Sequence, residues 1–218
     1  MVCGEVMLGR TKIINGLCGG CQREVFGLRI KGEVCEICGG PLISEHRTCM
    51  YCRQHSFEFR SNHSLFLYDG MIKIMLQNYK FQSQKQLASL WAHFIASYVK
   101  RHSIRAHIVT VPGRRSSVRQ RGWDQTLVIA EILKTRYGCS VVKLLKRTGG
   151  RSQKKLSYIQ RRENLRGHIV TVSREIPSEI LLLDDIFTTG ASLNECARVL
   201  KKAGAEEVNG ITIARAVR

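Results

Sequence analysis

The run ILLLDDIFTTGAS, residues 180–192, constrains the fold of this 218-residue chain more than any other stretch. Its apolar lead, EILLL at 179–183, shows no alternation of polar and apolar positions, so both faces of that strand must be covered. Such a strand belongs in the middle of a parallel sheet. Two adjacent acids, Asp184 and Asp185, follow it, and a Thr-Thr-Gly turn then opens a helix. A helix start offers unpaired N–H groups and a positive dipole end, which suit a phosphate. Thr188, Thr189 and Ser192 add hydroxyl donors, and Gly190 lets the backbone approach closely. The acids fall at the carboxyl edge of the sheet, where α/β proteins bind ligands. A dry acid pair beside a phosphate would repel it, so the pair is expected to hold sugar hydroxyls, with Mg²⁺ nearby. An ordinary strand–turn–helix with capping Thr and Ser does not account for the paired acids.

The body from residue 64 onward keeps the same alternation. Strands are expected at 64–68, 106–111, 140–145 and 179–183, with 207–213 closing the sheet. Helices are expected at 70–79 (ending near Lys80 and Phe81), 86–99, 125–135 and 193–203. Strands alternating with helices imply right-handed βαβ units and an α/β fold. The longest apolar stretch, 87–99, is too short to cross a bilayer, which needs ~20 apolar residues. The first ten residues lack the apolar core of a signal peptide, so a cytoplasmic protein without membrane insertion is expected.

Three CxxC pairs precede residue 53: Cys18/Cys21, Cys35/Cys38 and Cys49/Cys52. Each CxxC turn places two thiolates on one side of a tight loop, and two such turns complete the tetrahedron that zinc prefers. A redox CxxC would usually occur once, at a helix start, so the repetition points to structural zinc. Cys35, Cys38, Cys49 and Cys52 make the best-matched site. Cys18 and Cys21 then need partners, for which Cys3 or a histidine such as His46 or His55 is available. The histidines read more readily as surface residues, and the lone Cys139 and Cys196 as small buried apolar groups. Residues 1–60 are accordingly expected to form a zinc module, and 61–218 the α/β domain.

Charge is unevenly placed. The chain carries 35 Lys and Arg against 17 Asp and Glu, a formal charge of +18, and residues 100–166 alone hold 18 basic and 3 acidic side chains. Most charge runs are solvated faces. A net +15 within a segment that also carries strand and helix patterns points instead to an anion-binding surface.

The 180–192 stretch is similar to the phosphoribosyl pyrophosphate (PRPP) motif of type I phosphoribosyltransferases. That resemblance implies a type I phosphoribosyltransferase fold, with Asp184 and Asp185 on the ribose hydroxyls and Thr188, Thr189, Gly190, Ala191 and Ser192 on the 5′-phosphate. More of the chain resembles the ComF family: the CxxC head, Lys80-Phe81, Val111-Pro112 with Arg114, Arg115 and Arg119, RGWDQ at 121–125, KRTGGRSQKKLS at 146–157 and RRENL at 161–165. Members typically show RGFNQ, so Trp123 and Asp124 depart from the pattern. Many carry four CxxC pairs, of which the first is reduced here to Cys3. The family fold implies a pyrophosphate-binding loop at 114–125, with Arg114 and Arg115 on PRPP, and a covering loop at 147–162. Arg119, Arg121, Arg147, Arg151, Lys154, Lys155, Arg161 and Arg162 are the expected contacts for diphosphate or nucleic acid.

Two functions follow. One is phosphoribosyl transfer from PRPP to an acceptor that the sequence does not reveal. The other is binding of PRPP and single-stranded DNA during natural transformation, with the competence helicase as the partner the resemblance implies. PRPP with Mg²⁺ would occupy only a few of the basic groups, so the surplus favours nucleic acid. Aromatic residues near the basic segment are few (Trp123, Tyr137 and Tyr158), so phosphate contacts should dominate over base stacking. Purine or orotate salvage is disfavoured by the zinc head and the charge excess.

Overall fold

Four parallel strands stand side by side in the order β1 (Asn62–Leu67), β6 (Glu207–Arg215), β5 (Glu179–Phe187) and β2 (His107–Thr110). The computed structural model describes residues 17–149 and 165–217. The unbroken apolar run makes β5 an inner strand, as its sequence requires. Leu181 and Leu183 join one hydrophobic cluster, while Ile180 and Leu182 join another. On the first side pack α3 (Gly70–Phe81), α4 (Leu87–Arg101) and α6 (Gln125–Tyr137), burying Tyr79, Trp91 and Ile129. On the second lies α7 (Ala191–Lys202), which buries Leu193, Cys196, Ala197 and Leu200. The sheet is therefore covered on both faces, and the α/β class expected from the sequence holds.

Local chemistry sets the helix starts. Asp69 caps α3 by accepting from the Gly70 N–H at 2.8 Å, and Asp124 caps α6 by accepting from Thr126 N at 3.0 Å. Asp124, the acid that departs from the family pattern, thus has a local structural use.

Four expectations need correction. Residues 140–145 do not form a strand. Val141 makes one parallel bridge with Ile108, after which the chain leaves the sheet. Residues Leu145–Arg147 (β3) pair instead with Ile169–Thr171 (β4) as an antiparallel ribbon outside the main sheet. The β-branched Val141 and Val142 favour a strand locally, but the exposed Lys143 follows them where the chain turns away from the sheet. Second, β5 does not stop at the acids but runs on to Phe187, because Asp184 and Ile186 keep their registers with Thr212 and Ala214 of β6. Third, β6 lies inside the sheet, and β1 and β2 are its edges. Fourth, Arg115–Arg121 forms a short helix, α5, that no apolar stripe announced.

In the cysteine-rich head, α1 (Gly19–Gly27) packs against α3, and α2 (Met50–Arg53) carries Cys52. Cys35, Cys38 and Cys52 share a buried cluster with Phe59, Phe187 and Leu193. The head is thereby joined to the strand–turn–helix at the sheet's carboxyl edge. No described helix is long and apolar enough to cross a membrane.

Candidate functional site

Adjacent residues on a strand point to opposite faces, and the acids of β5 accordingly have different neighbours. Asp185 is 6% exposed, and its Oδ2 accepts from Lys80 Nζ at 2.9 Å and from Gln125 Nε2 at 2.6 Å. Gln125 is fixed in turn by Arg121, which donates to its Oε1 at 2.6 Å, and by the Tyr79 hydroxyl, which donates to its carbonyl at 2.8 Å. Burial opposes the Asp185 charge, but Lys80 and Gln125 outweigh it and hold the carboxyl below its usual value. Asp184 is partly exposed, and its Oδ1 accepts from the Asp185 N–H at 2.8 Å. Desolvation, with the Asp185 charge adding to it, pushes Asp184 upward. One acid is a fixed carboxylate, and the other is reluctant to ionise.

The turn that follows is tied down at two points. Gly190 takes the left-handed conformation at φ 76°, and a Cβ there would stand 2.6 Å from the Phe187 ring, so only glycine suits the position. Thr189 is 1% exposed, and its Oγ1 accepts from Ala191 N at 3.4 Å, so that hydroxyl serves the turn itself. Its carbonyl accepts from the Tyr51 hydroxyl at 3.0 Å, and the Thr188 carbonyl accepts from Arg215 Nη1 at 3.0 Å. Thr188 is exposed and Ser192 partly so, on the first turn of α7.

The basic residues divide. Arg115, Arg119 and Arg147 line one cleft of about 420 Å³ with Lys143 and Lys146, beyond the carboxyl end of β2. The acid lining this cleft is Asp124, already engaged as a cap that also accepts from Gly113 N at 3.2 Å. Arg147 is only 9% exposed, donates from Nε to the Gly149 carbonyl at 3.0 Å, and is lowered by desolvation and then by Arg114 nearby. Arg121 departs from the others and joins the Asp185 network. Arg151, Lys154, Lys155, Arg161, Arg162 and Tyr158 lie outside the described residues. Trp123 is 8% exposed, packed edge-on against Tyr79 at 4.9 Å, and so is core. Tyr137 is half-buried beside His93. Among the described residues, the basic segment therefore presents cations rather than stacking rings.

Four cysteines converge. The Sγ atoms of Cys35, Cys38, Cys49 and Cys52 all lie within 4.8 Å of one another, with Cys38 and Cys49 at 3.7 Å. Four thiolates at ~2.3 Å from one zinc would stand roughly 3.8 Å apart, so the cluster fits a tetrahedral metal. Donors already point at the sulfurs: the Cys49 N–H at Cys35 Sγ and Arg215 Nη2 at Cys38 Sγ, both at 3.4 Å. The Cys38 thiol is lowered to about 5 by its bond with Cys52, with Arg215 acting in the same direction against burial. Cys18 and Cys21 are not part of this cluster. They sit at the N-terminus of α1, where Cys18 Sγ accepts from Cys21 N at 3.4 Å. Cys3 lies outside the described residues. His46 is exposed beside Glu33, and His55 stacks on Tyr51 at 4.4 Å, so neither enters the cluster. Cys196 is fully buried, as expected of a small apolar group, and Cys139 is partly so.

Sequence reasoning gave Tyr51 and Arg215 no part in the site, and it picked out Lys80 and Gln125 through the family resemblance without their role beside Asp185. Arg215 left one readable sign, a cation ending the otherwise apolar run ITIA. The roles of the other three become visible only when α2, α3 and α6 are brought to the end of β5.

A parallel sheet covered on both faces, an acid pair late in an inner strand, a Thr-Thr-Gly turn into a helix and a four-cysteine module together define an α/β protein with a candidate ligand site at the carboxyl edge of its sheet. Curated relatives narrow this. Competence protein F of Haemophilus influenzae is 28% identical over 93% of this chain and 91% of its own length. Competence protein ComFC of Bacillus subtilis is 28% identical over 91% and 84%. The DNA utilization protein YhgH of Escherichia coli O157:H7 is 24% identical over 88% and 87%. The chain is thus similar to these competence proteins along nearly its whole length. No family model matches it. Among solved structures, adenine phosphoribosyltransferase from Leishmania tarentolae aligns with 64% of this chain and 74% of its own, at 12% identity and a TM-score of 0.39. Hypoxanthine phosphoribosyltransferase from Trypanosoma cruzi aligns over 59% and 65%, at 15% identity and 0.32.

Proposed function

We propose that the chain binds PRPP with Mg²⁺ at the end of β5 and holds single-stranded DNA along the adjoining basic cleft, in the cytoplasmic handling of DNA during natural transformation. The observation that carries the ligand half is the fixed carboxylate beside a reluctant one, followed at once by the tethered turn at the start of α7. The acids offer acceptors for ribose hydroxyls, and the helix start offers donors for a phosphate. The DNA half is supported by the five cations gathered in the cleft and by the names of the relatives, which speak of competence and DNA utilization. In this reading residues 1–60 are the zinc module and 61–218 the ligand-binding body. A competence helicase is the expected protein partner.

Thermal unfolding tests the ligand half. PRPP with Mg²⁺ should raise the melting temperature, and Asp184→Ala with Asp185→Ala should abolish the rise. An unmoved melting temperature in the native protein would sink it. For the DNA half, affinity for a labelled single strand should fall at least about tenfold between 50 and 200 mM salt. Salt-independent or undetectable binding would refute that half alone.

A further inference from the structure

Arg215 stands between the cysteine cluster and the ligand turn and bonds to both. It is the last residue of β6 and 9% exposed, and its guanidinium lies over the Phe187 ring at 4.4 Å. One arm donates to the Thr188 carbonyl at 3.0 Å, and the other to Cys38 Sγ at 3.4 Å. A guanidinium is a rigid plane, so fixing one arm fixes the other. The knuckle is shaped around it, since a Cβ on Gly40 would stand 3.1 Å from Arg215 Nε. A second link runs in parallel. Tyr51, between Cys49 and Cys52, sends its hydroxyl to the Thr189 carbonyl at 3.0 Å. Consecutive carbonyls of the turn are thus held by one residue bonded to a metal-site sulfur and by another seated between two of the metal-site cysteines.

We propose that Arg215 and Tyr51 are positioning residues that transmit metal occupancy of the Cys35–Cys38–Cys49–Cys52 cluster to the Thr188–Thr189–Gly190 turn, so that a loaded cluster is required for tight binding of the phosphorylated ligand. The physical basis is direct. With metal bound, Cys38 is a thiolate of fixed position, a strong acceptor for Arg215. Once the metal leaves, the four sulfurs lose their common centre, and the bonds that anchor Arg215 and Tyr51 loosen with them. The turn then has more conformations to give up on binding, which weakens affinity without any change to the acids. The ligand's identity rests on the function proposed above, whereas the mechanical link does not.

The test reads the turn itself. Amide hydrogen exchange of the peptide covering residues 187–193 is followed in full-length protein, with zinc content measured on the same samples. In the native chain, stripping the metal should speed exchange of that peptide at least tenfold. In Arg215→Lys with Tyr51→Phe, zinc content should stay native, exchange should already be at least tenfold faster, and metal stripping should add less than twofold. The same double variant should bind PRPP with Mg²⁺ at least tenfold more weakly, with unchanged exchange in α4. Equal sensitivity to metal stripping in the native and variant chains would overturn the proposal, as would native protection of the turn in the variant. The single Tyr51→Phe variant removes one oxygen and tests the second link should the double variant fold poorly. If PRPP does not bind the native protein, the function proposed above fails, while the exchange result still decides the link.

Discussion

Asp184 and Asp185 are neighbours in the chain and opposites in the fold. On the α3–α6 side of the sheet, Asp185 meets an ammonium and an amide at 2.9 and 2.6 Å, and its charge is neutralised before any ligand arrives. On the α7 side, Asp184 lies near Cys196, and its Oδ1 accepts from the next backbone N–H. A ligand at the end of β5 therefore meets one preset anion and one carboxyl whose ionisation is opposed. The contrast shows that a doubled acid in sequence need not mean doubled charge at a site. Packing differentiates the two positions, and the residues that do so come from helices distant in sequence.

The sharpest way to break this contrast is to remove Lys80. Lys80→Met leaves the Asp185 carboxylate buried without its ion-pair partner, and should lower stability by about 3–5 kcal/mol. Urea unfolding at neutral pH would measure it, and a loss under about 1 kcal/mol would show that the ion pair does not hold the site. A smaller effect is expected at Gln125. Gln125→Ala removes a charge-assisted bond to Asp185 and the acceptor of Arg121, whose buried Nε has no hydrogen-bond partner among the described residues. The expected loss is about 1.5–3 kcal/mol. Equal losses for the two variants would mean that Lys80 contributes packing rather than charge.

How much of this was legible follows the range of the interactions. The inner strand, the turn and the helix after it were readable because 180–192 is one contiguous stretch whose pattern has few solutions. The four-cysteine cluster was readable from spacing alone. The Lys80–Asp185 pair was not, because residues 105 apart in sequence meet only once α3 is laid on the sheet. Trp123, counted among the few aromatic residues near the basic segment, is core rather than free for stacking. Its burial against Tyr79 depends on how α3 meets the loop before α6, which periodicity does not encode. Residues 140–145 failed for a different reason: β propensity was real, yet the chain made one bridge and left to form the β3–β4 ribbon.

The smallest expected effect is also the most diagnostic, because its sign differs from the others. Asp184→Asn keeps the oxygen that accepts from the Asp185 N–H and removes the ionisation that desolvation and Asp185 oppose. Asp184 is raised in the folded chain, so between an unfolded value of about 3.9 and its higher folded value the native state binds more protons. Its contribution to stability therefore falls as pH rises through that window. Asp185 behaves oppositely: being lowered, it adds stability that is full above about 3.9 and is lost as pH falls through its folded value. Asp184→Asn should thus be more stable than the native chain at pH 8, by on the order of 1 kcal/mol, with the gain shrinking toward zero near pH 4. Urea unfolding of both proteins across that range would show converging curves. Parallel curves, or a variant less stable at pH 8, would mean that Asp184 is as well compensated as its neighbour, and the two faces of the sheet would no longer differ in the way described.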